Sequence, residues 1–578
     1  MPQVLPPQSA AGGLPSVAFG AVDVAFAVAV AVAEGGGAAP SPGPSAGLPP
    51  PEHAATSSSK QNESLVFIQP SIPEKGSKCF ISSSVTNVLS SGYHHLVKHL
   101  PRLMLVGVVG LGCSGSESES LPDAPRCAIA IPELGQWRLD TEGTRIKDVL
   151  GRTVFLRGIN AGGRSKLAPY MPFDFGAADF DAALGRYLDR AQSLGFSVLR
   201  VPFSWAAVEP VAGMDDEVFL GRYDALLDAA WQRRMYTIID FHQDIYSERM
   251  CGDGFPDWTI PEPKPAAESN CADWFVRYSK NEDVRSAFDR LWADSNGTRT
   301  ALEALWDRMV ARYWDKPGVI GFEVINEPHP GHAEPKTWES TVLTDFYSSM
   351  TERIHQKAPL ALVFFDASGL DAIGATTSMN KPVGDRLVFA PHWYDPAALF
   401  GGTPSPANAQ TGLAKWADQG REWDVPVLLG ESGVRRRLVG DGEFVLGLID
   451  AVEDNRLHFT YWEYSDAKDE WNEEDLSIVG TDGAEAEVMI THLVRPHPRA
   501  IPGDVVDYDF DVEARAFSVG YDVTRDGGIA EIAVSERAYP SGYRVEFANG
   551  CVDTSHPGLL LVRSDLGVAR VDLKVVPR

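Results

Sequence analysis

The sequence predicts an α/β protein in which a (β/α)8 TIM barrel is followed by a small C-terminal antiparallel β-sandwich. Short apolar runs alternate with segments of helical periodicity between residues 131 and 495, and eight such runs can be counted. After Arg495 the pattern changes to short runs with period-two alternation. Eight strand–helix units spread over roughly 330 residues fit a parallel barrel with enlarged loops.

The candidate barrel strands are short apolar runs of the kind expected for strands buried on both faces. They are Val154–Ile159, Val198–Pro202, Tyr236–Asp240, Val319–Ile325, Ala361–Phe365, Leu387–Ala390, Val425–Leu429 and His458–Trp462. Helical patterning is clearest in Phe180–Leu194, Tyr223–Arg233, Thr300–Tyr313 and Trp338–Gln356. The alternation of the two sets predicts the barrel.

The largest insertion follows the third predicted strand, from Gly252 to Thr300, and is rich in Trp, Pro and acidic residues. Loops this long inside a compact domain are usually functional or disordered. We expect this insertion to form a wall of the substrate cleft.

Residues 496–578 carry six short candidate strands separated by Gly, Pro, Asn and Asp turns, which predicts the β-sandwich. They are Tyr508–Val512, Ala516–Tyr521, Ile529–Ser535, Tyr543–Phe547, Leu559–Arg563 and Val568–Val576. Such a domain could bind carbohydrate or membrane, or could only brace the barrel. Since no aromatic stripe is long enough to form a sugar platform, we favour bracing.

The N-terminal region does not resemble an enzyme. Residues 1–96 are rich in Ala, Gly, Pro and Ser, so we expect them to be disordered or to precede the true translation start. Residues 97–130 resemble a bacterial lipoprotein signal and tether, with Lys98 and Arg102 before an apolar run and then Cys113. We therefore expect export and a lipid anchor at Cys113, with a short membrane anchor or a signal cleaved elsewhere as alternatives.

Six cysteines agree with export. Cys251 and Cys271 bracket the first part of the long insertion, and we predict a disulfide between them. Cys127 and Cys551 are expected to be unpaired.

Two glutamates, Glu327 and Glu431, each follow a mostly apolar run that is predicted to be a barrel strand. In a parallel barrel, catalytic groups gather at the carboxyl ends of the strands. Cleaving a glycosidic bond needs two carboxyl groups facing each other across the scissile oxygen, one protonated and one ionised. This pair therefore predicts glycosidase chemistry.

Further polar and aromatic residues stand at or after the predicted strands. The motifs in chain order include Asn-Glu-Pro at 326–328, His-x-Tyr at 392–394, Gly-Glu-Ser-Gly at 430–433 and Trp462. With these motifs the chain resembles glycoside hydrolase family 5. The segments DFHQDIYS at 240–247, GDGFPDW at 252–258, GFEVINEP at 321–328 and LVRPHPRAIPG at 493–503 are similar to its endoglycoceramidase branch. The resemblance covers the chain from about residue 135 to the C-terminus.

The resemblance implies a role for each matching residue. Glu327 would be the acid/base and Glu431 the nucleophile, with Asn326 on the sugar 2-hydroxyl. Arg200 and Tyr394 would donate hydrogen bonds that keep Glu431 ionised. The remaining predicted substrate-binding residues are His242 and Asp244 for sugar hydroxyls, His392, Trp462 as a stacking face, and Lys166 for the glycan.

The leading hypothesis is a retaining endo-β-glycosidase that releases the oligosaccharide from the ceramide of a glycosphingolipid. Alternatives are a family relative acting on a polysaccharide or a steryl glucoside, and a carbohydrate-binding protein with a decayed site. We expect no cofactor and no metal, because no tight ligand cluster of the zinc type is present. No P-loop occurs, and a net charge of −28 argues against nucleic acid. A monomer is expected.

Overall fold

The computed structural model describes residues 121–131, 137–176, 178–271, 274–399, 401–468 and 471–578. The predicted leader, and the predicted signal up to Ser120 with its Cys113, lie outside these ranges. Within the described residues, no helix combines the length and the apolar character that crossing a membrane requires.

The described strands belong to three sheets. In chain order they are β1 Leu139–Glu142, β2 Arg145–Asp148, β3 Thr153–Val154, β4 Arg157–Asn160, β5 Val198–Phe203, β6 Tyr236–Phe241, β7 Val319–Glu323, β8 Leu362–Phe365, β9 Leu387–Phe389, β10 Leu428–Leu429, β11 His458–Tyr461, β12 His497–Ile501, β13 Gly503–Asp511, β14 Ala516–Val523, β15 Ile529–Ala533, β16 Tyr543–Glu546, β17 Gly550–His556, β18 Leu559–Ser564 and β19 Arg570–Pro577.

The described α-helices lie mostly between the barrel strands. They are α1 Phe180–Ser193, α2 Trp205–Val208, α3 Glu217–Gln232, α4 Arg277–Lys280, α5 Glu282–Ala293, α6 Thr298–Tyr313, α7 Pro335–Trp338, α8 Thr344–Lys357, α9 Pro396–Leu399, α10 Pro406–Trp423, α11 Glu443–Asp454 and α12 Glu487–Leu493. A five-residue π-helical stretch, Glu339–Leu343, joins α7 to α8. Short 3-10 segments at Gly163–Lys166, Trp274–Val276 and Trp471–Glu473 carry residues of the site.

Strands β4 to β11 form an eight-stranded parallel sheet in the order β10-β11-β4-β5-β6-β7-β8-β9. Parallel bridges from Phe389 to Val427 and from His392 to Glu431 join β9 to the β10 region, so the sheet closes into a barrel. The predicted (β/α)8 barrel is confirmed. The first strand begins later than predicted, because Thr153–Val154 pairs in another sheet and only Arg157–Asn160 enters the barrel.

The C-terminal domain contains two antiparallel sheets, as predicted. One has the order β13-β14-β19-β16, and the other has the order β1-β2-β3-β12-β15-β18-β17. Strands β1 to β3 precede the barrel in the chain, but they pair in a sheet of the C-terminal domain. Residues 131–495 were expected to belong to the barrel as a whole, and these strands do not. Inside this sheet β3 pairs with β12, with Val154 opposite Ala500 and Thr153 opposite Ile501. The domain is thus built from both sides of the barrel sequence.

The Ser535 hydroxyl of the C-terminal domain donates to the carbonyl of Ser193 on α1 over 2.7 Å, and a cluster of buried charges lies where the barrel sequence ends. Arg157 Nη2 lies 2.9 Å from Glu453 Oε1, and Arg495 Nη1 lies 3.1 Å from Glu453 Oε2. All three side chains are buried. Removing one partner of a buried ion pair strongly destabilises the folded protein, because the other charge stays buried without compensation. The contact between Ser535 and Ser193 fits a C-terminal domain that braces the barrel, and this role stays a prediction.

Two disulfides form among the described residues. Cys251 and Cys271 are bonded, so the predicted pair is confirmed. Cys127 and Cys551 are also bonded, so the expectation that they are unpaired is wrong. The cause is the N-terminal segment, which runs along the C-terminal domain with bridges from Asp123 to Glu546 and from Arg126 to Val552.

Candidate active site

The predicted site residues meet at the carboxyl ends of the barrel strands. Arg200 lies on β5, and the others follow β6, β7, β9, β10 or β11 or lie in the 3-10 segment after β4. They surround a cavity of about 250 Å³. Its lining includes the predicted residues Lys166, Asp244, Glu327, Tyr394, Glu431 and Trp462. Arg200, His242, Asn326 and His392 are buried behind this lining.

Glu431 is held by two donors, one on each carboxylate oxygen. Arg200 Nη1 donates to Oε1 over 2.7 Å, and the Tyr394 hydroxyl donates to Oε2 over 3.0 Å. These are the two donors that the sequence analysis assigned to this carboxylate. Two hydrogen bonds to opposite oxygens fix the orientation of the Glu431 side chain in the cleft.

Arg200 is the central cation of the barrel mouth. Besides Glu431, it donates to both oxygens of Glu323 over 2.8 and 2.7 Å, and to Asn160 and Asn326 over 3.0 and 2.8 Å. Burial alone would lower the pKa of Arg200, but the carboxylates of Asp240, Glu323 and Glu431 raise it well above its ordinary value. The guanidinium is therefore a permanent charge that holds several strand ends together.

Asn326 uses its side-chain oxygen for Arg200 and donates its amide to the carbonyl of Gln243 over 3.1 Å. One amide hydrogen remains after these contacts. Its predicted contact with the sugar 2-hydroxyl stays a prediction.

Glu327 has an unusual backbone conformation. Its φ of 38° lies in the left-handed region, which is uncommon for a residue other than glycine. Its backbone N–H donates to Asp366 over 3.0 Å, and its carbonyl accepts from Gln243 Nε2 over 3.0 Å. Strained backbone held by its surroundings clusters at functional sites.

Burial raises the pKa of Glu327 to about 7, and the nearby Asp244 carboxylate contributes in the same direction. A carboxyl group with this pKa is protonated for a large fraction of the time near neutral pH. That is the property a general acid needs.

The two glutamates face each other at close range. One carboxylate oxygen of Glu327 and one of Glu431 lie within 4.8 Å of each other. Retaining glycosidases place their carboxyl groups about 5–5.5 Å apart, whereas inverting enzymes leave about 6.5–9.5 Å for a water molecule. The distance between these oxygens agrees with retention.

His392 lies between the two carboxylates and another acid. Its Nδ1 is 2.9 Å from Glu327 Oε1 and 3.5 Å from Glu431 Oε2, and its Nε2 is 3.4 Å from Asp366. Burial lowers the pKa of His392 to about 3, so the ring is neutral at physiological pH. A neutral imidazole can hydrogen-bond Glu327 without adding a charge beside it.

The other predicted residues form a polar side of the cleft. Lys166 Nζ lies 2.6 Å from Asp244 and 4.5 Å from the centre of the Trp462 ring. His242 stacks on Trp462 with ring centres 5.1 Å apart, and its Nδ1 is 2.8 Å from Asp240. Burial alone would lower the pKa of His242, but Asp240 raises it to about 10. The structure thus brings together a cation, a carboxylate and an indole, which are groups that bind sugars.

Several cleft residues were missed by the sequence analysis. Glu474 accepts from Trp462 Nε1 over 3.2 Å and lies 3.5 Å from Lys166, while Trp471 places its ring 4.0 Å from the same ammonium. Trp274 and Tyr278 come from the long insertion and also line the cavity. The predicted cleft wall therefore includes residues of the insertion, and Cys251–Cys271 ties its first part.

Two groups of described side chains bring metal-ligand atoms together, and both include His392. They are Glu323, Asp366 and His392, and Glu327, His392 and Glu431. The Arg200 guanidinium already hydrogen-bonds Glu323 of the first group and Glu431 of the second. A divalent cation bound by either group would be repelled by this positive charge. The donor set does not fit a metal.

A barrel with two opposed carboxyl groups at its strand ends and sugar-binding groups beside them defines a glycoside hydrolase site. The family model of cellulase, glycosyl hydrolase family 5, matches residues 177–468, and that of the glycoside hydrolase family 5 C-terminal domain matches residues 495–574. The chain belongs to glycoside hydrolase family 5, as its motifs predicted.

Similar proteins include endoglycoceramidase I of Rhodococcus hoagii strain 103S, which is 27% identical over 457 residues, 73% of this chain and 85% of the relative. Endoglycoceramidase of Cyanea nozakii is 23% identical and covers 70% of this chain and 86% of its own. Among solved structures, the ganglioside GM3 complex of endo-glycoceramidase II from Rhodococcus sp. has a TM-score of 0.64 at 22% identity. The match covers 76% of this chain and 100% of that one.

Proposed function

We propose that this chain is a retaining endo-β-glycosidase that hydrolyses the bond between the oligosaccharide and the ceramide of glycosphingolipids. The observation that carries the proposal is a cleft lined by two different kinds of side chain beside its two carboxyl groups. The polar groups, here called the polar side, suit a sugar, and the apolar side chains, here called the apolar side, suit a lipid.

The first chemical step uses both glutamates. Glu431 attacks the anomeric carbon, the bond from that carbon to the ceramide oxygen breaks, and Glu327 transfers its proton to the leaving oxygen. Ceramide leaves and the sugar is bonded to Glu431. In the second step the Glu327 carboxylate takes a proton from a water molecule, and the water oxygen attacks the anomeric carbon. The bond from that carbon to Glu431 breaks, the sugar is released, and both residues return to their initial state.

The polar side accounts for recognition of the sugar. Lys166, Asp244 and Glu474 offer a donor and two acceptors within a few ångströms of one another, and Trp462 offers an apolar ring. Sugars present hydroxyls at their edges and C–H groups on their faces. These residues supply a partner for each.

The apolar side accounts for recognition of the lipid. Its lining residues are Phe275, Leu370, Ala372, Ile373, Ala398, Leu399, Val434 and Leu476. A polysaccharide would leave such a surface without a complementary partner, whereas an acyl or sphingoid chain would bury it. This is the reason to prefer a glycolipid over cellulose, although the family model that matches is named for cellulase.

The comparisons support the same substrate class. Both curated relatives named above are endoglycoceramidases, and this chain spans 85% of one and 86% of the other. The similar solved structure holds a ganglioside.

We also propose export and membrane association through lipid at Cys113. The two disulfides support export, because structural disulfides persist in oxidising compartments. Tethering at a membrane would suit an enzyme whose substrate is a membrane lipid. Mass spectrometry of the mature N-terminus tests this: an unmodified Cys113 peptide in exported enzyme would contradict it.

The substrate proposal is tested with purified protein incubated with ganglioside, lactosylceramide, glucosylceramide, a steryl glucoside and cellulose. We expect free oligosaccharide and free ceramide from the ganglioside or lactosylceramide, and no release by Glu431→Gln. Glu352→Gln, an exposed change on α8, should behave as wild type. Release from cellulose or the steryl glucoside without release from any glycosphingolipid would overturn the proposal.

A further inference from the structure

The loop that follows β8 contributes much of the apolar side of the cleft. Residues 369–373, here called the aglycone loop, place Gly369, Leu370, Ala372 and Ile373 in the cavity lining. A Cβ at Gly369 would lie only 3.1 Å from the Cβ of Glu327, so the loop passes directly against the acid/base. Leu370 and Ile373 are 44% and 37% exposed. Apolar side chains this open do not hold the loop in place by burial.

Asp371 is the residue of this loop that is absent from the cavity lining. Its carboxyl group lies next to the carboxyl group of Glu339, and its buried Oδ2 has no donor among the described residues. Glu339 is 2% exposed and accepts from the Ser378 N–H over 2.6 Å and from Thr377 Oγ1 over 3.2 Å. Two carboxyl groups can hydrogen-bond each other only when one of them carries a proton.

Glu339 is itself well anchored. It opens the π-helical stretch before α8, and such stretches frequently occur at functional sites. The Thr344 hydroxyl donates to the Glu339 carbonyl over 2.7 Å and accepts from the Asn380 N–H over 3.2 Å. The contact between Asp371 and Glu339 therefore fastens the exposed aglycone loop to a helical segment that is itself held in place.

The electrostatic surroundings of Asp371 are simple. Glu339 is the charged side chain in contact with it, and Thr377 and Ser378 supply neutral donors. Lys415 on α10 is a cation near this loop, and its Nζ donates to the carbonyl of Gly374, three residues after Asp371, over 2.9 Å. Burial and Glu339 together raise the pKa of Asp371 to about 8.

We propose that Asp371 is a positioning residue for the aglycone: its proton-sharing contact with Glu339 holds the aglycone loop in place as the apolar wall of the cleft. This inference rests on the proposed lipid substrate. When both carboxyl groups are ionised they repel each other, and the loop is released from the π-helical stretch that carries Glu339. The Tyr394 N–H donates to the Ala372 carbonyl over 3.2 Å, so the loop also touches the residue that holds Glu431.

A structural measurement tests the contact without any substrate. Hydrogen exchange of peptides covering residues 369–378 should show less protection at about pH 9 than at about pH 6, after correction for the intrinsic rate, because the shared proton is lost between them. Asp371→Asn keeps a donor to Glu339 at both pH values and should remain protected at both. Equal protection of the wild-type loop at the two pH values would overturn the proposal, whether or not the substrate proposal holds.

Kinetics then separates positioning from chemistry. For lactosylceramide in detergent micelles, KM should rise about fivefold or more between those pH values, roughly 1 kcal/mol of lost binding. KM for a soluble aryl lactoside, which lacks the lipid, should change little. Asp371→Asn should remove the rise and Asp371→Ala should raise KM for the lipid at both pH values. The exposed change Asp345→Asn on α8 should match wild type. The same rise for both substrates, or its persistence in Asp371→Asn, would contradict the assigned role.

Discussion

The Tyr394 hydroxyl donates to Oε2 of Glu431 over 3.0 Å, on the side of the carboxylate opposite Arg200. The phenol lies in the cavity lining, whereas the guanidinium is fully buried. Burial and the neighbouring Glu431 raise the pKa of Tyr394 well above its ordinary value, so the phenol remains a donor throughout the working pH range.

Tyr394→Phe removes this donor and keeps the ring. A hydrogen bond to a charged group contributes about 1.5–3 kcal/mol, so kcat should fall roughly tenfold to a hundredfold. The measurement is steady-state hydrolysis of an aryl glycoside. Tyr543→Phe in the C-terminal domain is the control, and a Tyr394→Phe enzyme with unchanged kcat would show that the phenol does not assist Glu431.

The two carboxyl groups should give different defects. Glu431→Gln should lose activity by several orders of magnitude on every substrate, because no glycosyl-enzyme can form. Glu327→Gln should still form that intermediate from a substrate with an activated leaving group, and azide should then restore turnover as a glycosyl azide. Mass spectrometry detects the trapped intermediate. Azide rescue of Glu431→Gln with retained configuration would reverse the two assignments.

The pH profile should report Glu327. Its pKa of about 7 predicts that kcat/KM falls as the pH rises through that value, because the acid must be protonated to assist the leaving group. Asp244→Asn removes a negative charge that raises this pKa and leaves the Lys166 ammonium less compensated, so the alkaline limb should move to lower pH. A shift in the opposite direction would rule out this electrostatic coupling.

Removing each disulfide should have a different effect on substrate binding. Closing the loop of about 20 residues between Cys251 and Cys271 contributes roughly 3 kcal/mol in the chain-entropy model. Replacing both by Ser should lower the melting temperature and also raise KM, since the insertion supplies Trp274 and Tyr278 to the cleft. Replacing Cys127 and Cys551 should lower the melting temperature alone. A KM effect of equal size in both pairs would contradict this separation.

The stability of the protein should be sensitive to Glu453, which is the shared partner of two buried arginines. Glu453→Gln leaves Arg157 and Arg495 buried with their shared charge removed, which should cost about 3 kcal/mol or more of unfolding free energy. Denaturant unfolding measures it. The exposed neighbouring change Asp454→Asn should have little effect, and similar midpoints for the two variants would show that the buried ions are not coupled.

Much of the site could be predicted because its residues follow strands. Glu327 and Glu431 each close an apolar run, and in a parallel barrel that position alone brings them to one face. Glu323 was missed because it lies inside the run that ends at Glu327. A charged residue within a buried strand requires a partner, and Arg200 is that partner, so this pattern could have indicated it.

Other features leave no local pattern. Glu474 lies in a loop 12 residues after Trp462, and only the folded chain brings it to Lys166. Cys127 and Cys551 are separated by 424 positions, and their pairing depends on where the N-terminal segment docks. The strands β1 to β3 were assigned to the barrel region because sequence order does not reveal that their partners come after it.

That chain path constrains how the molecule can be made. The Thr153 hydroxyl contacts the carbonyl of Gly503, 350 positions later, and only Phe155 and Leu156 separate β3 from the first barrel strand. At about 5–20 residues per second, a ribosome needs roughly half a minute to reach the partner strands. During that interval β1 to β3 present an unpaired edge, which is a site for wrong pairing with other chains. The complete barrel must therefore be synthesised before β12 can pair with β3. The yield of folded protein in a foreign host should accordingly depend on the rate at which the ribosome elongates the chain.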